Sequence, residues 1–253
     1  VVENGIAFVR LDQRAGERER GKSVVARLAA RKIQTLPTVY ESEWYDDKGV
    51  QSGVLKTYSP ETLYTKNRSE AEAFLDRLPI MSKSIEGAGS KNVRLLSART
   101  KVIHELNQVF GRGLAISGGK KQRGYVLWQK FIEKNDCDYR VCIIGNYFFG
   151  LIRQNRPDRP MASGSGINEP ISELSEKCMA VFRKAAEIAS DINTRFMAFD
   201  FVFQGNNPLV LEMSSSWTPH AYAHCPVWEL KADFRKTKYT GGHMFDLLLE
   251  ILC

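Results

Sequence analysis

The chain has 253 residues, 43% apolar and 26% charged, the composition of a soluble globular protein with length for one large domain or two modest ones. A formal net charge of +7 favours an anionic partner: a nucleotide, an acidic small molecule or nucleic acid. No apolar run approaches the roughly 20 residues of a membrane span, and the N-terminus lacks the apolar block of a signal peptide, so a cytoplasmic protein is expected. Five cysteines, Cys137, Cys142, Cys178, Cys225 and Cys253, form no C-x-x-C pair, which argues against a zinc ribbon; their odd number argues against a disulfide framework.

In chain order, residues 5–10 read as a short buried strand leading into a strongly charged stretch, DQRAGERERGK. Val, Leu and Ala at helical spacing predict a helix over 23–32 that begins beside Lys22 and stops before the turn at Pro37. Residues 40–66, where Tyr40, Trp44, Tyr45, Tyr58 and Tyr64 sit among charges, predict short strands and loops. A helix is expected over 69–78, with Ser69 as its cap and Glu70 and Glu72 in the first turn. Residues 79–84 read as a strand carrying Lys83, followed by the glycine-rich E-G-A-G-S-K of residues 86–91. Such a loop can wrap a polyphosphate, because glycine permits close backbone approach and lysine supplies charge. The lysine precedes the glycines, so the Walker spacing is absent, and an ordinary turn fits the same segment.

Residues 92–110 are helical by pattern and closed by Gly111 and Gly113; GGKKQRG, 118–124, reads as a basic loop. An apolar strand follows over 125–132, then two runs, 139–144 and 147–152, joined by Gly145-Asn146 as a hairpin. Arg153, Arg156 and Arg159 stud a loop that runs into the S-G-S-G of 163–166. Helices are expected over 171–190 and 244–252.

Between those helices lies FMAFDFVFQGNNPLVLEMSSSW, residues 196–217, which reads as a hairpin with a Gly/Asn turn. Folding it back brings Asp200 near Glu212, with Ser214 on the same side as Glu212. Like charges at the end of buried strands raise each other's pKa unless a cation sits between them, and hard oxygen ligands suit Mg²⁺. The plain alternative is a solvated hairpin whose two carboxylates face water.

The order of these segments resembles the ATP-grasp ligases, in particular the branch of RimK-like and D-alanine:D-alanine ligase-like enzymes, over residues 20–217. GKSVVARLAARKIQTLPT is similar to the family's first nucleotide lysine, helix and Pro-Thr strand, and LPIMSKSIEGAGSKNV to its second lysine and phosphate loop. YVLWQKFIEKNDCDYRV looks like the hinge around adenine and ribose, CIIGNYFFGLIRQNR like the hairpin with its arginine, and FDFVFQGNNPLVLEMS like the metal-binding pair. The resemblance implies an α+β ATP-grasp fold of two α+β subdomains with ATP bound between their sheets, over 21–125 and 126–253. Residues 1–20 would be the remnant of an N-terminal domain that is reduced or missing. It also implies that Lys22 and Lys83 hold the α- and β-phosphates and that the loop of Glu86, Gly87, Gly89 and Ser90 closes over the triphosphate. Gln129 and the main chain of Lys130, Phe131 and Ile132 would line the adenine site, and Asp138 would meet the ribose. Arg153 would steady the transferred phosphoryl group, and Asp200 and Glu212, with Ser214, would hold Mg²⁺. Where the family has E-x-N, this chain has Glu212-Met213-Ser214, and Trp217-Thr218-Pro219 replaces the usual Pro-Gly.

The implied activity is an ATP-dependent ligase that joins a carboxylate-bearing small molecule or peptide to an amine through an acylphosphate. A kinase on the same fold, and a nucleotide-binding or nucleic-acid-binding module without turnover, are the alternatives.

Overall fold

The computed structural model describes every residue except 1–4, 13, 86, 88, 89, 91, 158–161, 163–166 and 253. The chain divides into two compact units, one made of residues 1–45 with 135–253 and one of residues 46–134.

The first unit begins with β1 (Ile6–Phe8), which pairs in parallel with β2 (Gln34–Leu36). Between them runs α1 (Ala15–Ala29), and after them comes α2 (Val39–Trp44), capped by Thr38 with Glu41 closing a reciprocal box. Much of the charged run before residue 23 is thus helical. Its alternating signs fall at helical spacing, as in Arg20–Glu17 at 3.0 Å, which supports a helix without any apolar stripe.

Residues 46–134 form α3 (Lys48–Val54), β3 (Thr62–Thr65), α4 (Arg68–Ala73), β4 (Ile80–Lys83), β5 (Val93–Leu96), α5 (Arg99–Val109), the short pair β6 (Leu114–Ala115) and β7 (Lys121–Gln122), and β8 (Val126–Lys130). Here the structure corrects several expectations. The aromatic stretch after residue 40 folds mainly as α2 and α3, because Thr38 and Asp47 supply caps. The cap of α4 is Asn67, whose side chain accepts from the Ser69 N–H at 2.9 Å, not Ser69 itself. The helix expected from 92 splits into β5 and α5. The antiparallel sheet has the order β3-β8-β4-β5. Ile80, Leu96, Val126 and Trp128 pack on Ala71, Phe74, Val102 and Leu106 of the helical layer. Since β8 is bonded to both β3 and β4, it belongs to this sheet, and α1 packs on β2 and α2 in the first unit. The unit boundaries therefore lie at 45/46 and 134/135 rather than at 20/21 and 125/126.

The chain then returns to the first unit with β9 (Cys137–Ile144), β10 (Tyr147–Gln154), β11 (Asn168–Pro170), α6 (Glu176–Asp191), β12 (Phe196–Gln204), β13 (Asn207–Ser214), β14 (Pro226–Leu230), β15 (Phe234–Thr240) and α7 (Met244–Leu252). The sheet order is β13-β12-β9-β10-β14-β15, with β11 also on β10. Ser175 caps α6, so the residues before it are not helical as expected. On one face Phe148 and Phe234 meet Phe182 of α6. On the other, Cys142, Phe149, Phe196 and Ala198 pack with Trp217, Tyr222 and Leu247, and Trp217 stacks on Phe196 at 4.3 Å. Pro208 is accommodated because β13 is an edge strand. Strands β14 and β15 were not anticipated. No helix is long and apolar enough to cross a membrane among the described residues.

Candidate functional site

The β12–β13 hairpin forms as expected, and a bulge decides its chemistry. From the turn the register runs Gln204↔Asn207 to Phe201↔Val210 and then shifts, so that Leu211 is the extra residue and Asp200 stands opposite Glu212. Without the shift Asp200 would face Leu211. The two carboxyl-bearing residues are thus register partners on neighbouring strands.

Across the sheet Asp200 is also the register partner of Arg140 on β9, whose Nη1 donates to both carboxylate oxygens at 3.1 and 3.2 Å. Arg153 on β10 donates Nη2 to Asp200 at 2.8 Å. It also grips its own register partner Asp138 with Nε at 2.6 Å and Nη2 at 2.9 Å. Asp138, Asp200 and Arg153, all buried, thus form one network with the largely buried Arg140 at the end of a sheet face whose remainder is apolar. Burial pushes the Asp138 carboxyl up, to about 6, against the pull of Arg153. For Asp200 burial acts the same way, but the charges of Arg140 and Arg153 override it and hold the group below the usual carboxylate range. Burial lowers the Arg153 guanidinium, yet Asp200 and Asp138 raise it well above its ordinary value, so it stays charged.

Two adjoining carboxyl groups fit Mg²⁺, which takes one or two protein carboxylates and completes its shell with water and phosphate oxygens. Among the described residues no group of three or more His, Cys, Asp or Glu is placed to hold a metal. Ser214 donates its hydroxyl to the Ser216 carbonyl at 2.6 Å and accepts from the Ser216 N–H at 3.3 Å, so its hydroxyl serves a turn.

Asp138 differs from its expected ribose role: both its oxygens are engaged by Arg153 and the residue is 7% exposed, so it orients the arginine. Arg153 is buried. The D-x-R spacing on a strand places Arg140 on the face of Asp138, yet its ion-pair partner is Asp200 of the neighbouring strand. Lys22 lies inside α1, where its ammonium meets Glu43 at 3.0 Å and Glu19 at 3.9 Å.

In the second unit, Lys83 ends β4 as expected, nearly buried, with Nζ donating to Gln129 on β8 at 2.7 Å. Gln129 in turn donates to Thr62 at 2.9 Å. Of the loop that follows, Glu86, Gly89 and Lys91 lie outside the described residues. The peptide of Gly87 is held on both sides, its N–H by Asp46 at 3.0 Å and its carbonyl by Lys48 at 2.7 Å, two residues with no signal in the sequence pattern. Gly87 has φ +114°, which glycine adopts without strain, and Ser90 has φ +56°. The N–H groups of Lys130 and Phe131 are taken by the carbonyls of Glu61 and Pro79, so neither is offered to an adenine edge.

These two sheets, with the hairpin carboxylates in one and the buried lysine in the other, define a class: the chain has the ATP-grasp fold. It matches a RimK-domain ATP-grasp protein from Sphaerobacter thermophilus at 18% identity and a TM-score of 0.54, over 82% of this chain and 71% of that one. It matches D-alanine–D-alanine ligase from Bacillus anthracis, solved with ATP, at 17% and 0.54, over 76% of this chain and 62% of that one. With the RiPP-associated ATP-grasp ligase from Chryseobacterium gregarium, solved with ADP and a leader and core peptide, the figures are 14% and 0.60, over 94% and 68%. The chain therefore spans less than two thirds of the Bacillus ligase. No family model and no curated protein matches the sequence.

Proposed function

We propose that the protein is an ATP-dependent carboxylate–amine ligase that forms an amide bond through an acylphosphate. The observation that carries this reading is the pairing of Asp200 with Glu212 beside the two buried arginines, on a fold shared with ligases solved with ATP or ADP. In this reading Lys83, with Gln129 beside it, meets the nucleotide phosphates, and Lys22 adds a second positive charge. The Gly87 loop covers the phosphates, and Ile132 lines the base. Asp200 and Glu212 would hold Mg²⁺, which when bound neutralises charge on the triphosphate. Arg153, oriented by Asp138, presents a fixed positive charge to the γ-phosphoryl group as it passes from ATP, which leaves as ADP, to a substrate carboxylate oxygen. An amine nitrogen then attacks the activated carbonyl, and phosphate leaves. The substrates are a carboxylate-bearing small molecule or peptide and an amine; the peptide option is favoured by the leader and core peptide bound to the Chryseobacterium ligase.

The test is ADP release, followed with magnesium and a panel of acids and amines. The ligase reading expects release only when an acid and an amine are both present. A stable phosphorylated product formed without amine would replace it with a kinase, and ATP binding without turnover on any pair would replace it with a binding module.

A further inference from the structure

In residues 46–134 a glutamate with no place in the nucleotide site joins three strands. Glu105 projects from α5 and is 3% exposed. Its Oε1 accepts from the Ser82 hydroxyl of β4 and from the Trp128 indole N–H of β8 at 3.0 Å. Its Oε2 accepts from Arg94 Nε of β5 at 3.1 Å. Ser82 and Trp128 are register partners, and each immediately precedes one member of the Lys83–Gln129 pair. Side chains alternate along a strand, so Ser82 and Trp128 point to the helical layer while Lys83 and Gln129 point to the opposite face. One buried carboxylate therefore fixes, from behind, the strand positions on which that pair stands.

We propose that Glu105 is a positioning residue for Lys83: it holds β4 against β8 so that the ammonium sits ready for a nucleotide phosphate. This rests on the nucleotide role of Lys83 given above. A glutamate on a helix reads as a surface residue from sequence, and only the convergence of Ser82, Trp128 and Arg94 marks it as a clamp. A charge-assisted acceptor shared by two strands also resists the shear that would part Lys83 from Gln129.

The experiment is a double-mutant cycle on the full chain, with Mg-ATP affinity by calorimetry as the readout, well below each variant's melting temperature. Glu105→Gln should weaken Mg-ATP binding about tenfold in the chain with Lys83 and change it by less than about twofold in the Lys83→Ala background, the signature of two residues acting as a unit. Ser82→Ala, which removes a single donor and is less demanding on folding, should show the same dependence on Lys83 with a smaller loss. Equal losses in both backgrounds, or a lowered melting temperature with unchanged affinity, would overturn the proposal and leave Glu105 as a structural clamp. Should the wild-type chain not bind Mg-ATP, or Lys83→Ala bind as tightly as wild type, the nucleotide reading of Lys83 fails first, and the positioning role falls with it.

Discussion

Replacing Asp200 by Asn should destabilise the protein far more than replacing its neighbour Glu212 by Gln. Asp200 is 3% exposed and accepts from Arg140 through both oxygens and from Arg153 through one. The amide keeps one acceptor, but it removes the charge that balances two buried guanidiniums and points an N–H₂ at one of them. Removing one partner of a buried ion pair costs about 3 to 5 kcal/mol, and the retained acceptor places this variant near 3 kcal/mol. At about 2 to 4 °C per kcal/mol for a chain of this size, its melting temperature should fall by about 6 to 12 °C. Glu212 is half-buried on the edge strand, and Glu212→Gln should cost within about 1 kcal/mol, or a few degrees. With the metal role proposed for the pair, turnover should be lost in both, since either change would leave one carboxylate for the metal. The assay is a thermal melt beside magnesium-dependent ADP release for each variant. An Asp200→Asn protein that melts within about 2 °C of wild type would refute the energetic role given to the network.

Ser214→Ala should lower stability by about 1 kcal/mol through loss of its two bonds to Ser216 while turnover persists; a collapse of turnover with an unchanged melt would restore Ser214 as a ligand. Lys83→Ala should weaken Mg-ATP binding by about 1.5 to 3 kcal/mol in calorimetry, the worth of one charge-assisted contact, and unchanged affinity would remove Lys83 from the site. Burial pushes the thiols of Cys142 and Cys225 up to about 12, so at pH 8 neither forms thiolate and both should resist iodoacetamide in the native protein. Peptide mass analysis reads this, and rapid labelling of either would show that the core around Trp217 opens.

The two hairpins, the Lys83 strand and the apolar runs were legible because alternation and Gly-Asn turns are local signals. The bulge at Leu211 was not, since no residue type marks it, yet it sets Glu212 opposite Asp200 rather than one position away. Charge alone gave little of the local structure. The alternating acids and bases before residue 23 carry no helix signal in the sequence yet are the first turns of α1, because i to i+3 pairing leaves no apolar period to detect. Arg153 stands among neighbouring arginines in the sequence, and its burial depends on Asp138 and Asp200 arriving from separate strands, which only the sheet register determines. The unit boundary at 134/135 was missed because β8 reads as a strand without indicating which sheet it joins.

The central claim is that a substrate carboxylate is phosphorylated and then attacked by an amine. Hydroxylamine tests it most directly, because as a small nucleophile it substitutes for the unknown amine and converts an acylphosphate into a hydroxamate. With Mg-ATP and a panel of carboxylic acids and peptides, the account predicts hydroxamate formation in step with ADP release, for the wild-type chain and not for Glu212→Gln. ADP release that yields a stable phosphorylated product and no hydroxamate would contradict it.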